Sequence, residues 1–125
     1  MKTYAELTGC RADFFIRYRL CDDQGCESFQ RVFQHIRSDW EYVDDDQCGV
    51  SRWIIWPEFL DASGVVVGQD ATVDREGFAT MWILRDTTRP YHRERIQPGV
   101  RGVLVAGPHR IADAEVVEVL ALADC

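Results

Sequence analysis

Lysine is nearly absent from this sequence, since Lys2 is the only one beside thirteen arginines. The arginines are spread from Arg11 to Arg110 without a basic block or tail, and the formal net charge is −7. Proteins that bind nucleic acids neutralise phosphates with clustered lysine and arginine side chains. The charge balance therefore argues against a nucleic-acid partner and favours a protein partner that is basic.

Long hydrophobic runs are also missing. No stretch approaches the roughly 18 apolar residues that span a bilayer, and residues 1–10 lack the apolar run of a secretory signal. The five cysteines are odd in number and have no paired CxxC spacing, so free thiols in a reducing compartment are expected. We expect a cytoplasmic protein without a membrane partner.

Catalytic motifs are absent as well. The chain has no GxxxxGK(S/T) phosphate loop, no GxSxG nucleophile turn, and no second pair that matches the Cys21 and Cys26 spacing of a zinc site. Glu58 and Asp61 are expected in solvated turns, because unpaired carboxylates are rarely buried. The histidines are expected at the surface: His35, His92 and His109. The sequence predicts a non-enzyme without catalytic residues, metal or cofactor.

Alternating hydrophobicity predicts β-strands. In residues 11–20 the even positions are apolar and all but one of the odd positions are polar, which is the period of a half-buried strand. Residues 52–60 and 78–84 are apolar on both faces, as in strands covered on both sides. Pro57 favours an edge or a strand end for the first of them. Further strands are predicted at 65–67, 100–106 and 114–122.

Turn residues separate these segments at short intervals. The spacing predicts an all-β fold, a small Greek-key-type closed barrel of about six or more strands. No linker is visible, so residues 1–125 are expected to form a single domain. Residues 29–36 are ambiguous between helix and strand, because their apolar side chains follow helical spacing, whereas residues 38–43 look extended.

The order of motifs towards the C-terminus resembles a known barrel. Residues 96–102 read IQPGVRG, residues 103–107 read VLVAG, and a valine-rich run follows at 112–122. This succession is similar to the end of the C-terminal β-barrel domain of the elongation factor Tu family. Residues 32–42 (VFQHIRSDWEY) resemble the segment in which that barrel carries an aromatic and an arginine before an extended strand.

The resemblance implies the barrel fold and an extended course through 32–42. It does not imply GTP hydrolysis, because the phosphate loop is missing. It does not imply the tRNA-binding role of that family either, because the chain is acidic and has no basic stripe. No functional residue is carried over from the family.

Aromatic side chains are the first group of candidate binding residues. Trp53, Trp56 and Trp82, with Glu58 and Arg85 as polar anchors, would line a small-molecule site in the barrel mouth. The same tryptophans would serve equally to fill the core of a small barrel.

The second group lies in residues 85–95 (RDTTRPYHRER), the only cationic cluster of the chain. This segment is interpreted either as a site for an anion or an acidic partner, or as a solvated loop whose arginines pair with neighbouring carboxylates. Its candidate residues are Arg85, Arg89, Tyr91 and His92.

The leading functional hypothesis is a stand-alone, non-catalytic barrel that binds a protein. A sharper version is an immunity-type inhibitor of a basic nuclease, with Asp44, Asp45 and Asp46 steering the partner. A homodimer through strand edges or an apolar face such as residues 53–56 is a further variant. The alternative from another class is a carrier or enzyme with a site in the barrel mouth.

Overall fold

The computed structural model describes residues 3–9, 11–20, 34–43, 52–68, 71, 73–83, 89–106 and 109–120. These ranges contain six strands and two short helices. In chain order they are α1 (Tyr4–Thr8), β1 (Phe14–Leu20), β2 (Asp39–Tyr42), β3 (Ile55–Phe59), β4 (Glu76–Ile83), α2 (Arg89–Arg95), β5 (Arg101–Ala106) and β6 (His109–Val119). Within them, no helix is long and apolar enough to cross a membrane.

The strands form one antiparallel sheet in the order β2-β5-β6-β1-β4-β3. The sheet curls into a half-barrel, and the outer strand β2 forms a bridge with Trp53 in the segment just before β3, the other outer strand. There the backbone N–H of Trp40 donates to the carbonyl of Trp53 at 3.0 Å, and Trp53 N–H donates back at 2.9 Å. The structure is mostly β, in keeping with the β-rich fold that the sequence predicts.

The concave side of the sheet holds the main core. Alternate side chains of β1 point to it, and three of them, Phe14, Ile16 and Tyr18, are fully buried, while Leu20 is partly buried. They pack with large apolar side chains of the other strands, which include Ile55, Phe59, Met81, Leu104 and Ile111. Burial of this apolar surface, at about 25 cal/mol per Å², is the main force that holds the curled sheet together.

Gly102 of β5 is required by the packing of Trp40, the largest fully buried side chain. A Cβ atom at position 102 would lie only 2.3 Å from the Trp40 ring. The indole therefore lies flat against the β5 backbone and leaves no room for a side chain at position 102. Phe14 meets the same indole edge-on at 5.5 Å between ring centroids.

One part of the outer face of β3 and β4, around Trp56, Glu58 and Trp82, is covered by α1. A capping box closes the start of this helix, because the Thr3 hydroxyl accepts from Glu6 N–H and the Glu6 carboxylate accepts from Thr3 N–H. Gly9 ends the helix in the left-handed conformation with φ 72°. Tyr4 then packs on Trp82 in a second, smaller apolar cluster.

The predicted strands are largely confirmed, and Pro57 does lie in an edge strand. β1 alternates as predicted, and β6 begins at His109, earlier than expected. Residues 65–67 contribute only one bridge, between Val66 and Leu60. In the described part of 29–36, Gln34 and His35 form a turn and Ile36 has no regular structure, while residues 29–33 lie outside the described residues.

The prediction of a polar loop at 85–95 is wrong for its second half. Arg89–Arg95 forms α2 and buries His92 completely. Proline is well tolerated in the first turn of a helix, where its missing N–H has no partner to lose, so Pro90 is compatible with this start. The charged residues of this stretch are typical of a solvated loop and gave no indication of a helix.

Candidate functional site

The structure separates the predicted binding residues into two clusters. The first cluster lies on the outer face beside α1 and contains Trp56, Glu58 and Trp82. In the second cluster, Trp53 contacts Tyr91 and His92 of α2. The tryptophans therefore do not share one pocket. Arg85 and Asp44, Asp45 and Asp46 lie outside the described residues, and Arg89 is described only as the first residue of α2.

Glu58 is the centre of the first cluster, and its side chain is only 2% exposed. Its Oε2 accepts a hydrogen bond from the backbone N–H of Tyr4 at 2.9 Å and another from His35 Nε2 at 2.7 Å. The Tyr4 ring stacks on the His35 imidazole at 4.4 Å. The expectations of a solvated Glu58 and of a surface His35 are both wrong, because each side chain supplies the other's buried partner.

Three further features describe this cluster. His35 has a φ of 66°, a left-handed conformation that is uncommon for residues other than glycine. Burial, together with the nearby Glu58 carboxylate, raises the pKa of Tyr4 to about 12. The Arg37 guanidinium lies 5.6 Å from the centre of the Trp56 ring and covers the rim of the cluster. The arrangement anchors α1 and the 34–38 segment to β3.

The second cluster is an aromatic contact between β2, the segment before β3, and α2. Trp53 stacks on Tyr91 at 4.4 Å and meets His92 edge-on at 4.8 Å. Tyr42 shares a hydrogen bond between its hydroxyl and Nδ1 of His92. The imidazole is therefore a core residue, which corrects the expectation that His92 lies at the surface.

Arg95 closes this cluster against solvent. Its guanidinium lies 3.5 Å from the centre of the Tyr91 ring, and its Nη1 donates to the Tyr91 carbonyl at 3.1 Å. A guanidinium over an aromatic face is held by the quadrupole of the ring. The cationic segment thus contributes at least one arginine to internal packing instead of to a partner.

Among the described residues, the most exposed aromatic side chain lies elsewhere, on the outer face of the sheet. Phe78 of β4 is 43% exposed and stacks on the half-buried Phe15 of β1 at 5.2 Å. Beside them Val117 is 41% exposed, at the point where the register between β1 and β6 shifts by one residue. We call Phe15, Phe78 and Val117 the phenylalanine patch. Sequence analysis missed it, although Phe15 was the one apolar residue at an odd position of its strand.

Charged side chains surround the phenylalanine patch in a balanced array. Arg17 lies directly across from Glu115 and donates to it at 2.7 Å. Arg19 lies directly across from Asp113 on one side and from Glu76 on the other. On strands β1, β4, β5 and β6 the outer face carries four arginines and four carboxylates: Arg17, Arg19, Arg101, Arg110, Glu76, Asp113, Glu115 and Glu118. This part of the surface therefore has no net charge.

A groove of about 380 Å³ lies at the β2 and β5 end of the same outer face. Its apolar lining comes from Val43, Val103 and Val105, and arginines stand at its rim. One of these, Arg52, donates to Glu41 at 3.0 Å. The groove is not the barrel mouth in which sequence analysis placed a small-molecule site.

Comparisons with protein-family models, curated proteins and solved structures found no match for this chain. The resemblance to the elongation factor Tu family therefore remains a prediction.

Proposed function

We propose that this chain is a non-catalytic binding module that contacts a protein partner through the outer face of its sheet. The observation that carries the proposal is the exposed Phe78, which stacks on Phe15 at the centre of a rim of charged residues. Protein interfaces combine aromatic side chains at the centre with a polar rim. An exposed phenylalanine pair costs solubility, and a partner that covers it would offset that cost.

The other surfaces of the described sheet are already occupied, which supports the choice of this face. Large side chains such as Phe59 and Met81 fill the concave side. The β2 edge bonds to Trp53, and the β3 edge bonds to Gln34. Strand addition at an edge, a common mode of peptide binding, would have to displace these contacts.

Residues 53–56 do not offer the apolar dimer face that sequence analysis considered. Ile55 is fully buried and both tryptophans are half-buried, which leaves Ile54 as the exposed member at 41%. In this proposal, the apolar contact surface is the phenylalanine patch instead.

The fold proposal is finer than the half-barrel described above. We propose that the whole chain closes into a Greek-key-type barrel similar to the C-terminal domain of elongation factor Tu. The reciprocal hydrogen bonds between Trp40 and Trp53 support closure, because they join one outer strand, β2, to the segment that leads into the other, β3.

The net charge of −7 would attract a basic protein over long range, and this is the support for the nuclease-inhibitor version. The nuclease-inhibitor version and the barrel-mouth carrier stay predictions. Nothing in the described residues favours either over a general protein-binding role.

The test is a capture experiment with a matched surface control. Wild-type protein, Phe78→Ser and Val65→Ser are used as baits, since Val65 is also exposed (59%) but lies away from the patch. A captured protein is identified, purified and titrated by calorimetry against all three. The proposal expects binding to wild type and to Val65→Ser and at least about tenfold weaker binding to Phe78→Ser. Equal affinity for Phe78→Ser contradicts it.

A further inference from the structure

On the outer face, the charged side chains of β1 are complementary to those of the neighbouring strand β6. Directly paired residues of a sheet point to the same side, so Phe78, Arg17, Glu115 and Arg101 form one row across β4, β1, β6 and β5. The next row contains Glu76, Arg19, Asp113 and Val103. In each row an arginine of β1 stands beside a carboxylate of β6.

Two copies of the chain can be related by a two-fold axis that runs parallel to the strands, between β1 and β6. This arrangement would place groups of opposite charge from the two copies against each other. The rotation exchanges the β1 side of one copy with the β6 side of the other. Arg17 of one copy then faces Glu115 of the second copy, and Arg19 faces Asp113. In a two-fold interface each such contact occurs twice, because the same patch serves both subunits.

The same rotation places Phe78 on β4 of one copy opposite β5 and the groove of the second copy. β4 and β5 lie three strands apart, which is about 14 Å at the usual spacing of about 4.8 Å, and the axis passes midway between them. Phe78 of one copy therefore meets Arg101 and the Val103 side of the groove in the second copy. The groove, at about 380 Å³, has room for a phenylalanine side chain, and arginine is a favourable neighbour for an aromatic ring.

We propose that the partner of this face is a second copy of the chain, in a two-fold dimer whose axis runs between β1 and β6. This inference rests on the proposed function and names its partner. Two copies of a chain with net charge −7 repel each other over most of their surface. The outer face has no net charge, so it is a favourable face for self-association.

A charge-exchange experiment tests this geometry. Arg17→Glu and Glu115→Arg are each expected to weaken the dimer at least about tenfold, because each makes like charges face each other across the axis. When the two variants are mixed, the carboxylate introduced at position 17 of one faces the guanidinium introduced at position 115 of the other. The second contact of that pair joins the native Arg17 to the native Glu115. The mixture is therefore expected to form a heterodimer that neither variant forms with itself.

The readout is molar mass by sedimentation equilibrium, from micromolar to near-millimolar protein. Arg93→Glu, an exposed charge reversal on α2, is the control that leaves the dimer intact. Phe78→Ser is expected to be monomeric, and circular dichroism of each variant shows that it is folded. Recovery in the mixture cannot come from a folding defect, since a variant that misfolds alone would also misfold in the mixture.

Three results would overturn the dimer. They are a wild-type monomer at every concentration, a dimer that persists in both charge variants, or variants that stay monomeric when mixed. The proposed function fails separately. A monomer that still binds another protein through Phe78 refutes the dimer alone, whereas a monomer that binds nothing through Phe78 refutes both.

Discussion

The side-chain amide of Gln34 pairs with both backbone polar groups of Phe59, as a neighbouring strand would. Its Nε2 donates to the Phe59 carbonyl at 2.9 Å, and its Oε1 accepts from the Phe59 N–H at 2.8 Å. The same Nε2 also donates to the Val67 carbonyl at 2.8 Å. A single fully buried side chain therefore closes part of the β3 edge, which would otherwise be open to another strand.

Gln34→Ala is expected to lower the free energy of unfolding by about 2–4 kcal/mol, because the Phe59 N–H and the Val67 carbonyl lose the hydrogen bonds that Gln34 makes to them. The Phe59 carbonyl still accepts from the Val67 N–H at 3.1 Å. Urea denaturation measures the loss. Gln97→Ala, at an exposed position, is the matched control and is expected to change stability by less than about 0.5 kcal/mol. A loss for Gln34→Ala as small as the control would show that the edge is not closed by this side chain.

Gly102→Ala is expected to cost about 1–3 kcal/mol, because its Cβ would lie within 2.3 Å of the Trp40 ring. Gly68→Ala is the control, since nothing lies within 4 Å of a Cβ at that position. In a Trp40→Leu background the cost of Gly102→Ala is expected to fall, which a double-mutant cycle by urea denaturation reads directly. An equal cost in both backgrounds would mean that the indole is not what excludes a side chain at 102.

Glu58→Leu is expected to loosen α1, because Tyr4 N–H loses its acceptor. The expected cost is about 1–3 kcal/mol, and hydrogen exchange of the α1 amides should speed up. Glu58→Gln keeps one acceptor oxygen and is expected to lose less. If both variants leave exchange in α1 unchanged, the helix is held by its apolar contacts with Trp82 alone.

Stability is expected to fall in alkali between about pH 10 and pH 12. Burial raises the pKa of Tyr4 to about 12, helped by the Glu58 charge, and burial likewise raises the pKa of Tyr18 to about 12, helped by Asp74. In the unfolded chain both phenols titrate near their ordinary pKa of 10.0. Unfolding therefore releases protons in this window, and the free energy of unfolding decreases as the pH rises.

Urea denaturation across that pH range tests the alkaline loss. Tyr4→Phe removes one of the two phenols, so its stability should fall less steeply than that of the wild type. Identical slopes for the two proteins would contradict the raised pKa of Tyr4.

The strands were predictable from sequence because they are governed by local patterning. Phe14, Ile16 and Tyr18 alternate with polar residues, and a period of two is enough to assign a strand and its buried side. The capping box of Thr3 and Glu6, with Gly9 after it, is an equally local signal that would have located α1. That signal was present and was not used.

The site could not be predicted in the same way, because its contacts join distant residues. Nothing in the sequence pairs His35 with Glu58, which are 23 positions apart, or His92 with Tyr42, which are 50 apart. A histidine or a glutamate is assigned to the surface until a buried partner is known. Phe78 could not be recognised as part of a patch from sequence either, because its ring lies beside that of Phe15 only once β4 is paired with β1.

The most direct measurement for the central claim is hydroxyl-radical footprinting of the free monomer and of the complex, either with a second copy or with a captured protein. The account predicts that labelling of Phe15 and Phe78 falls strongly in the complex, while the exposed Leu7 and Val65 stay as reactive as in the monomer. A complex in which Phe78 remains fully reactive, or in which Leu7 or Val65 is protected instead, would contradict binding through the outer face.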